Sequence, residues 1–93
     1  PIGTYVERGR SFTQLTFRLY PGDRIYLFSD GFADQFGGGN GRKYLLGRFR
    51  NFILSVQKVP MQKQKAFFHE ELAKWQGNNR QVDDILVLGI EFP

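Results

Sequence analysis

The chain has 93 residues, of which 41% are hydrophobic and 10 are phenylalanine. This length allows one small hydrophobic core, and this composition excludes a disordered tail. Cysteine is absent, which excludes disulfides and thiolate metal sites, so any metal must bind carboxylates, water or the single His69. The net charge of +4 is spread along the chain, a pattern typical of solvated faces rather than of a nucleic-acid surface.

The start of the chain and its hydropathy give an expectation of the protein's location in the cell. No segment approaches the roughly 20 apolar residues that a membrane helix needs. The sequence opens with PIG, which shows neither an initiator methionine nor the charges of a signal peptide. We therefore expect one segment, 1–93, cut from a longer cytoplasmic protein and making no membrane contact itself, whether or not the rest of the protein is membrane-anchored.

The first half of the chain predicts two strands. Residues 11–20 alternate apolar and polar side chains, which is typical of a strand with one buried face. Residues 21–23 (PGD) then indicate a turn. Residues 24–29 (RIYLFS) are almost continuously apolar, as in an interior strand covered on both faces. This second strand runs directly into Asp30 and Gly31.

A glycine-rich segment separates these strands from the second half of the chain. Residues 37–41 (GGGNG) predict a surface loop without ladder hydrogen bonds, because glycine loses the most backbone freedom on ordering. The spacing does not match the known phosphate-binding loops. We interpret this segment as a flexible flap near the acidic residues.

The second half predicts two helices and a closing strand. Apolar residues at spacings of three and four indicate amphipathic helices over 42–57 and 61–76. On the second helix we place Phe67, Phe68 and Trp75 in the core. The closing strand, residues 85–92, is again mostly apolar.

The residues 69–71 (HEE) on the second helix have a simpler interpretation. They lack the second histidine of a zinc-protease helix. We interpret them as an exposed helix face.

Acidic residues stand where two of the predicted strands end and begin. Asp30 follows the second strand, and Asp83 and Asp84 precede the last one. If these strands are antiparallel neighbours, Asp30 and Asp83 meet at one edge of the sheet. Clustered carboxylates repel unless a cation intervenes, and Mg²⁺ and Mn²⁺ prefer oxygen ligands. Aspartate is also common in turns and caps, which is the simpler interpretation of Asp34, so spacing alone leaves both possibilities open.

Several segments resemble one protein family. Residues 22–31 (GDRIYLFSDG) resemble the GD-x-l-y-L-y-SDG segment of SpoIIE-type serine phosphatases, in the metal-dependent protein phosphatase (PPM) superfamily. Residues 81–90 (QVDDILVLGI) resemble that family's closing DD-i-t-l-v strand, and residues 33–38 (ADQFGG) resemble a continuation found in a subgroup. The opening PIG is similar to an lPiG segment before these strands. The resemblance implies the C-terminal portion of such a domain, with the N-terminal part missing.

The resemblance also implies a fold and an activity. The fold is α+β: the C-terminal part of a PPM-type α-β-β-α sandwich, with mainly antiparallel strands and two helices. Asp30 and Asp83 match the family's metal-binding aspartates, with Gly31, Asp34 and Asp84 in supporting positions and no other catalytic residue. The complete domain is expected to bind two Mn²⁺ or Mg²⁺ ions and to hydrolyse phosphoserine or phosphothreonine on regulatory proteins in bacterial signalling.

The same resemblance implies partners for the protein and an inactive isolated chain. The implied partners are a phosphorylated regulatory protein and the rest of the protein, either an N-terminal phosphatase half or an upstream sensor. The family's upstream Asp and Asp-Gly motifs are absent from these 93 residues, so the isolated chain is expected to be inactive.

Two other functions stay open at this point. A noncatalytic pseudophosphatase would use the same fold for protein contacts. A basic binding module for nucleic acid or protein would stack bases on aromatic side chains such as Tyr5, Phe12 and Tyr26 while arginines hold phosphates. Of these classes, we expect no nucleic-acid binding.

Overall fold

A computed structural model describes residues 2–4 and 20–93 of the chain. In chain order its elements are β1 (Ile2–Thr4), β2 (Arg24–Phe28), β3 (Phe36–Gly37), β4 (Arg42–Lys43), α1 (Leu46–Ser55), α2 (Met61–Gln76) and β5 (Val87–Glu91). Apart from its last residue, the strand predicted over 11–20 lies outside the described residues. Neither α1 nor α2 is long and apolar enough to cross a membrane.

Strand β2 is the centre of a three-stranded sheet in the order β1-β2-β5. It runs parallel to β1 and antiparallel to β5, where Arg24 lies opposite Glu91 and Phe28 lies opposite Val87. Strand β2 therefore has a hydrogen-bonded neighbour along each of its edges, as predicted for an interior strand. The predicted pairing of the strand before Asp30 with the last strand is confirmed.

One face of the sheet packs against both helices. The Phe49 ring of α1 is fully buried, and its centroid lies 4.7 Å from the Phe28 ring of β2 and 4.7 Å from the Phe32 ring. The buried core consists of Tyr26, Phe28, Phe32, Tyr44, Phe49 and Ile53. Two helices, and strands of which two of the three described pairings are antiparallel, confirm the predicted α+β class.

The glycine-rich segment is a hairpin rather than a free loop. Phe36 and Gly37 pair antiparallel with Lys43 and Arg42, so the prediction of no ladder hydrogen bonds was wrong at Gly37. A Cβ on Gly37 would collide with the carbonyl oxygen of Trp75, and the next amide, Gly38, donates to that same oxygen at 2.9 Å. Helix α2 therefore holds the base of the hairpin, which is why a ladder forms at a glycine.

Helix α1 begins four residues later than predicted. The apolar spacing includes Tyr44 and Leu45, but neither is helical. Leu45 has φ +80°, and its N–H donates to the carbonyl of Ala33 at 2.7 Å, while the N–H of Tyr44 donates to Gln35 at 3.0 Å. These contacts continue from the hairpin and delay the first helical turn until Leu46.

Helix α2 has the predicted extent and ends at Gly77, whose φ is +52°. Phe68 and Trp75 pack against the core as predicted. Phe67 is 45% exposed, so its placement in the core was wrong. Consecutive helical residues point about 100° apart, and with Phe68 turned inward Phe67 falls outside the buried stripe.

A buried glutamine joins the two helices to the sheet. Gln64 of α2 accepts a hydrogen bond from the Tyr26 hydroxyl at 2.8 Å. Its Nε2 donates to the carbonyls of Val56 and Val59 in the connection between the helices, at 3.0 Å each. The partners of this buried side chain lie on β2 and in the connection between the helices, so it fixes how the helical layer sits on β2.

Candidate metal site at the end of β2

Ser29 ties the end of β2 to the segment that enters β5. Its N–H donates to the carbonyl of Leu86 at 3.0 Å. Its hydroxyl donates to the carbonyl of Asp84 at 3.0 Å and accepts from the N–H of Leu86 at 3.0 Å. Three hydrogen bonds therefore hold the residue before Asp30 against the residues that follow Asp83.

Gly31 is in direct contact with the same segment. A Cβ at this position would collide with the carbonyl oxygen of Asp84 and lie 2.9 Å from a side-chain carbon of Ile85. A side chain of any size would push the two strand ends apart. Glycine at position 31 is thus needed for the close approach of the segment after Asp30 to the segment that carries Asp83 and Asp84.

The turn after Asp30 is held by the burial of an aromatic side chain, Phe32, in the core. Phe32 is 1% exposed, and its ring lies 5.2 Å from the ring of Tyr44. The N–H of Asp34 donates to the carbonyl of Asp30 at 2.9 Å and closes the turn. Burial of Phe32 leaves Asp30 on the exposed side of the same turn.

The acidic side chains differ in their surroundings. Asp30, Asp83 and Asp84 are exposed, and one carboxylate oxygen of Asp83 accepts the N–H of Asp84 at 2.8 Å. Asp34 is half-buried and lies 3.7 Å from the Nζ of Lys43. Asp34 therefore has a cationic partner from β4, whereas Asp30 makes no side-chain hydrogen bond or ion pair in the described parts of the chain.

These aspartates fit part of a metal-ligand set. Exposed carboxylates on fixed strand ends suit Mn²⁺ or Mg²⁺, which retain several waters. Within residues 2–4 and 20–93, no three carboxylate or imidazole groups come together as a metal site. Asp30 and Asp83 would hold such an ion only together with ligands beyond the described residues.

A polar and aromatic cluster beside this turn was missed from the sequence. Tyr44 is fully buried, and its hydroxyl donates to Glu71 at 2.7 Å. Burial, and then the hydrogen bond to the Glu71 carboxylate, raise the pKa of the Tyr44 phenol above its usual value. The interpretation of residues 69–71 as an exposed face was thus wrong for Glu71, which is half-buried. Its spacing of four from Trp75 on α2 was the available signal.

Trp75 and Gln35 connect this cluster to the turn that carries Asp30 and to the segment that carries Asp83. The indole Nε1 of Trp75 donates to the carbonyl of Gln35 at 2.8 Å. The side-chain amide of Gln35 donates to the carbonyl of Arg80 at 2.8 Å. Gln35 follows the turn that carries Asp30, and Arg80 precedes Asp83 by three residues. The buried Gln35 therefore links the segment after Asp30 to the segment before Asp83.

The fold and the site can be compared with known proteins. The family model described as Stage II sporulation protein E (SpoIIE) matches residues 1–93. Among solved structures, the SiaA-PP2C domain of Pseudomonas aeruginosa is similar, with a TM-score of 0.72 and 36% identity over 75% of this chain. The match spans 28% of the length of that protein chain. A search of curated proteins gives no significant match.

Proposed function

The chain belongs to the SpoIIE family and has the fold of a PP2C-type phosphatase domain, and from this we propose that it supplies two metal ligands, Asp30 and Asp83, to a protein phosphatase site. The observation that carries the proposal is the backbone contact of Gly31 with Asp84, together with the hydrogen bonds of Ser29. This contact brings the backbone after Asp30 against the segment that carries Asp83 and Asp84, at one edge of the sheet.

Each residue at this edge has a part in the proposed chemistry. Bound Mn²⁺ or Mg²⁺ would supply a Lewis acid and an activated water for in-line attack on a phosphate ester. Asp30 and Asp83 would hold the ions, and the Asp84 N–H orients the Asp83 carboxylate by donating to one of its oxygens. Gly31 permits the close approach of the strand ends, and the contact of Asp34 with Lys43 supports the turn.

We further propose phosphoserine or phosphothreonine on regulatory proteins of bacterial signalling as the substrate. Exposure of Asp30, Asp83 and Asp84 supports this, because a phosphate on a folded protein reaches only an open site. The remaining ligands would come from the rest of the protein, which we propose to work in the cytoplasm.

The test is turnover of a phosphoprotein by the full-length protein with Mn²⁺. Asp30→Asn and Asp83→Asn keep the side-chain shape and remove the charge that holds a divalent ion, so each should lower kcat/KM at least about a hundredfold. Asp34→Asn is the matched control and should cost less than about tenfold, because Asp34 already pairs with Lys43. Near wild-type turnover of Asp30→Asn or Asp83→Asn would make that residue a turn cap.

The same assay separates the rival functions. A pseudophosphatase would show no Mn²⁺-dependent turnover in the unaltered protein. A base-stacking module needs exposed aromatic rings, but Tyr26 is 1% exposed and packed under α2. Tyr5 and Phe12, the other two aromatic residues of that hypothesis, lie outside the described residues.

A further inference from the structure

Two arginines lie against one tryptophan ring beside the hairpin. The guanidinium carbon of Arg48 is 4.6 Å from the centroid of the Trp75 ring, and that of Arg42 is 5.8 Å away. Arg48 is also 5.9 Å from the Tyr44 ring, and its Nε donates to the Tyr44 carbonyl at 3.0 Å. We call the surface made by Arg42, Arg48 and Trp75 the arginine surface.

Within residues 2–4 and 20–93, no carboxylate forms an ion pair with the arginine surface. Arg42 and Arg48 are both exposed. Glu71, on the same helix as Trp75, is engaged by the Tyr44 hydroxyl. Two guanidinium groups thus share one ring, and their N–H groups match the paired oxygens of a carboxylate or phosphate.

The ring that carries the arginines is fixed in place. Trp75 donates its indole N–H to Gln35, and a Cβ on Gly38 would collide with the ring. Arginines ordered on a fixed ring lose less freedom when an anion binds, which favours affinity. Arg48 lies over the Trp75 ring, and the Tyr44 ring meets it at 5.3 Å and 80°, so these side chains compete with a nucleic-acid base for stacking on it. Protein is therefore the better-matched source of the anionic groups.

The arginine surface adjoins the turn of the candidate metal site. Trp75 contacts Gln35, which follows that turn, and the backbone of Leu45 is hydrogen-bonded to Ala33 within it. Leu45 is 57% exposed although it is apolar, and its φ of +80° is one that leucine rarely adopts. A strained, exposed leucine between two arginines in the sequence is a suitable apolar contact for a partner.

We propose that the arginine surface and Leu45 bind the acidic segment flanking the phosphorylated residue of a partner protein. The acidic character of the partner follows from Arg42 and Arg48. Its phosphorylation rests on the proposed function. Binding at this surface would position the phosphorylated residue near Asp30, so the surface would select substrates by the sequence around the phosphate.

The experiment measures binding to the full-length protein by fluorescence anisotropy in EDTA, where metal-dependent hydrolysis does not occur. The probes are a short synthetic peptide with one phosphoserine among glutamates and a leucine, and the same peptide unphosphorylated. We expect both probes to bind and the double variant Arg42→Gln/Arg48→Gln to bind each about tenfold more weakly. Arg50→Gln removes an exposed arginine of α1 that contacts no described aromatic ring, and should change the Kd less than about twofold.

Two further variants separate binding from folding. Arg42→Lys/Arg48→Lys keeps the charge but loses the planar fork, so its affinity should fall between those of the double glutamine variant and the unaltered protein. Leu45→Ser should weaken binding with no change in its salt dependence. Thermal melts should show every variant folded, with a small decrease only for the variants at Arg48, which lose the hydrogen bond to the Tyr44 carbonyl or the contact with the Trp75 ring.

Three results would overturn the proposal. The first is no binding of either peptide, and the second is an equal loss with Arg50→Gln, which would indicate diffuse charge attraction. The third is tighter binding of a single-stranded oligonucleotide of equal charge that is lost in the double glutamine variant. The proposed function fails separately: absence of Mn²⁺-dependent turnover with intact peptide binding would reject the phosphatase and leave the arginine surface standing.

Discussion

The two faces of the same sheet differ in how the chain covers them. On the inner face, Tyr26 and Phe28 of β2 are buried under the helices. On the outer face, Leu27 lies opposite Leu88, which is 50% exposed, and Ile25 lies opposite Ile90, which is 45% exposed. The side chains on both faces are apolar, yet only the inner ones are packed by α1 and α2.

This difference explains the continuous apolar sequences of β2 and β5. A strand with one solvated face alternates apolar and polar residues, whereas a strand covered on both faces does not. In the sandwich that the family resemblance implies, a second sheet covers the outer face. The similar SiaA-PP2C domain chain is much longer than the part matched here, since the match spans 28% of it.

The largest effect is expected on the inner face. Phe49→Ala leaves a cavity among the Phe28 and Phe32 rings and should lower the free energy of unfolding by about 3–5 kcal/mol. Leu88→Ala on the outer face of the same 93-residue chain should cost less than about 1 kcal/mol, because the side chain is half-exposed. Urea unfolding followed by circular dichroism measures both values.

The same two changes in the full-length protein test whether the outer face of the sheet is covered there. If a second sheet covers the outer face there, Leu88→Ala should become severalfold more costly, while the cost of Phe49→Ala stays the same. Equal costs of the two changes in the 93-residue chain would contradict the described packing.

A smaller effect is expected at the edge where the strand ends meet. Gly31→Ala places a methyl group against the Asp84 backbone and should cost about 1–3 kcal/mol. It should also impair any metal site, because the two acidic segments must separate. Gly47→Ala in α1 is the matched control: a Cβ there meets nothing within 4 Å, so stability should stay equal or rise. Thermal melts that show no cost for Gly31→Ala would mean that the strand ends are not in contact.

A third effect on stability is expected at the polar contact beneath the hairpin. Tyr44→Phe removes the hydrogen bond to Glu71 and should cost about 1–2 kcal/mol near neutral pH. Because the folded state raises the pKa of Tyr44 above its usual value of 10.0, the folded protein keeps a proton that the unfolded chain releases. The contribution of Tyr44 to the free energy of unfolding should therefore be constant below about pH 10 and fall above it.

The pH dependence of the tyrosine variant is read from urea unfolding at several alkaline pH values. Tyr44→Phe should show less of the alkaline decline than the unaltered protein. Tyr20→Phe, which changes a tyrosine that is 53% exposed, should keep the full decline. The same alkaline decline in Tyr44→Phe would contradict the buried phenol.

Sequence patterns predicted the strands and helices better than they predicted the tertiary contacts between them. The continuously apolar segments predicted β2 and β5, and the prediction that these strands are neighbours is confirmed. The start of α1 was missed because Leu45 fits a helical spacing, while its hydrogen bond to Ala33 depends on the fold. Glu71 was assigned to an exposed face for a similar reason: its partner, Tyr44, lies 27 residues earlier in the sequence.

The candidate site was also predictable only in part. Asp30 and Asp83 stand out because one follows an apolar strand and the other precedes one, and the structure places these strands side by side. Their role as ligands stays a prediction, because a carboxylate next to a strand is equally typical of a turn. The arginine surface has no local sequence signal, since Arg42, Arg48 and Trp75 come together only through the hairpin and the two helices.

The most direct test of the account is Mn²⁺ binding by the full-length protein, measured by electron paramagnetic resonance of the free ion. The unaltered protein should bind Mn²⁺, and Asp30→Asn and Asp83→Asn should each weaken that binding at least tenfold, about 1.4 kcal/mol. Asp34→Asn, whose carboxylate pairs with Lys43, should bind almost as the unaltered protein does. Unchanged Mn²⁺ binding in both Asp30→Asn and Asp83→Asn would contradict a metal site at the end of β2.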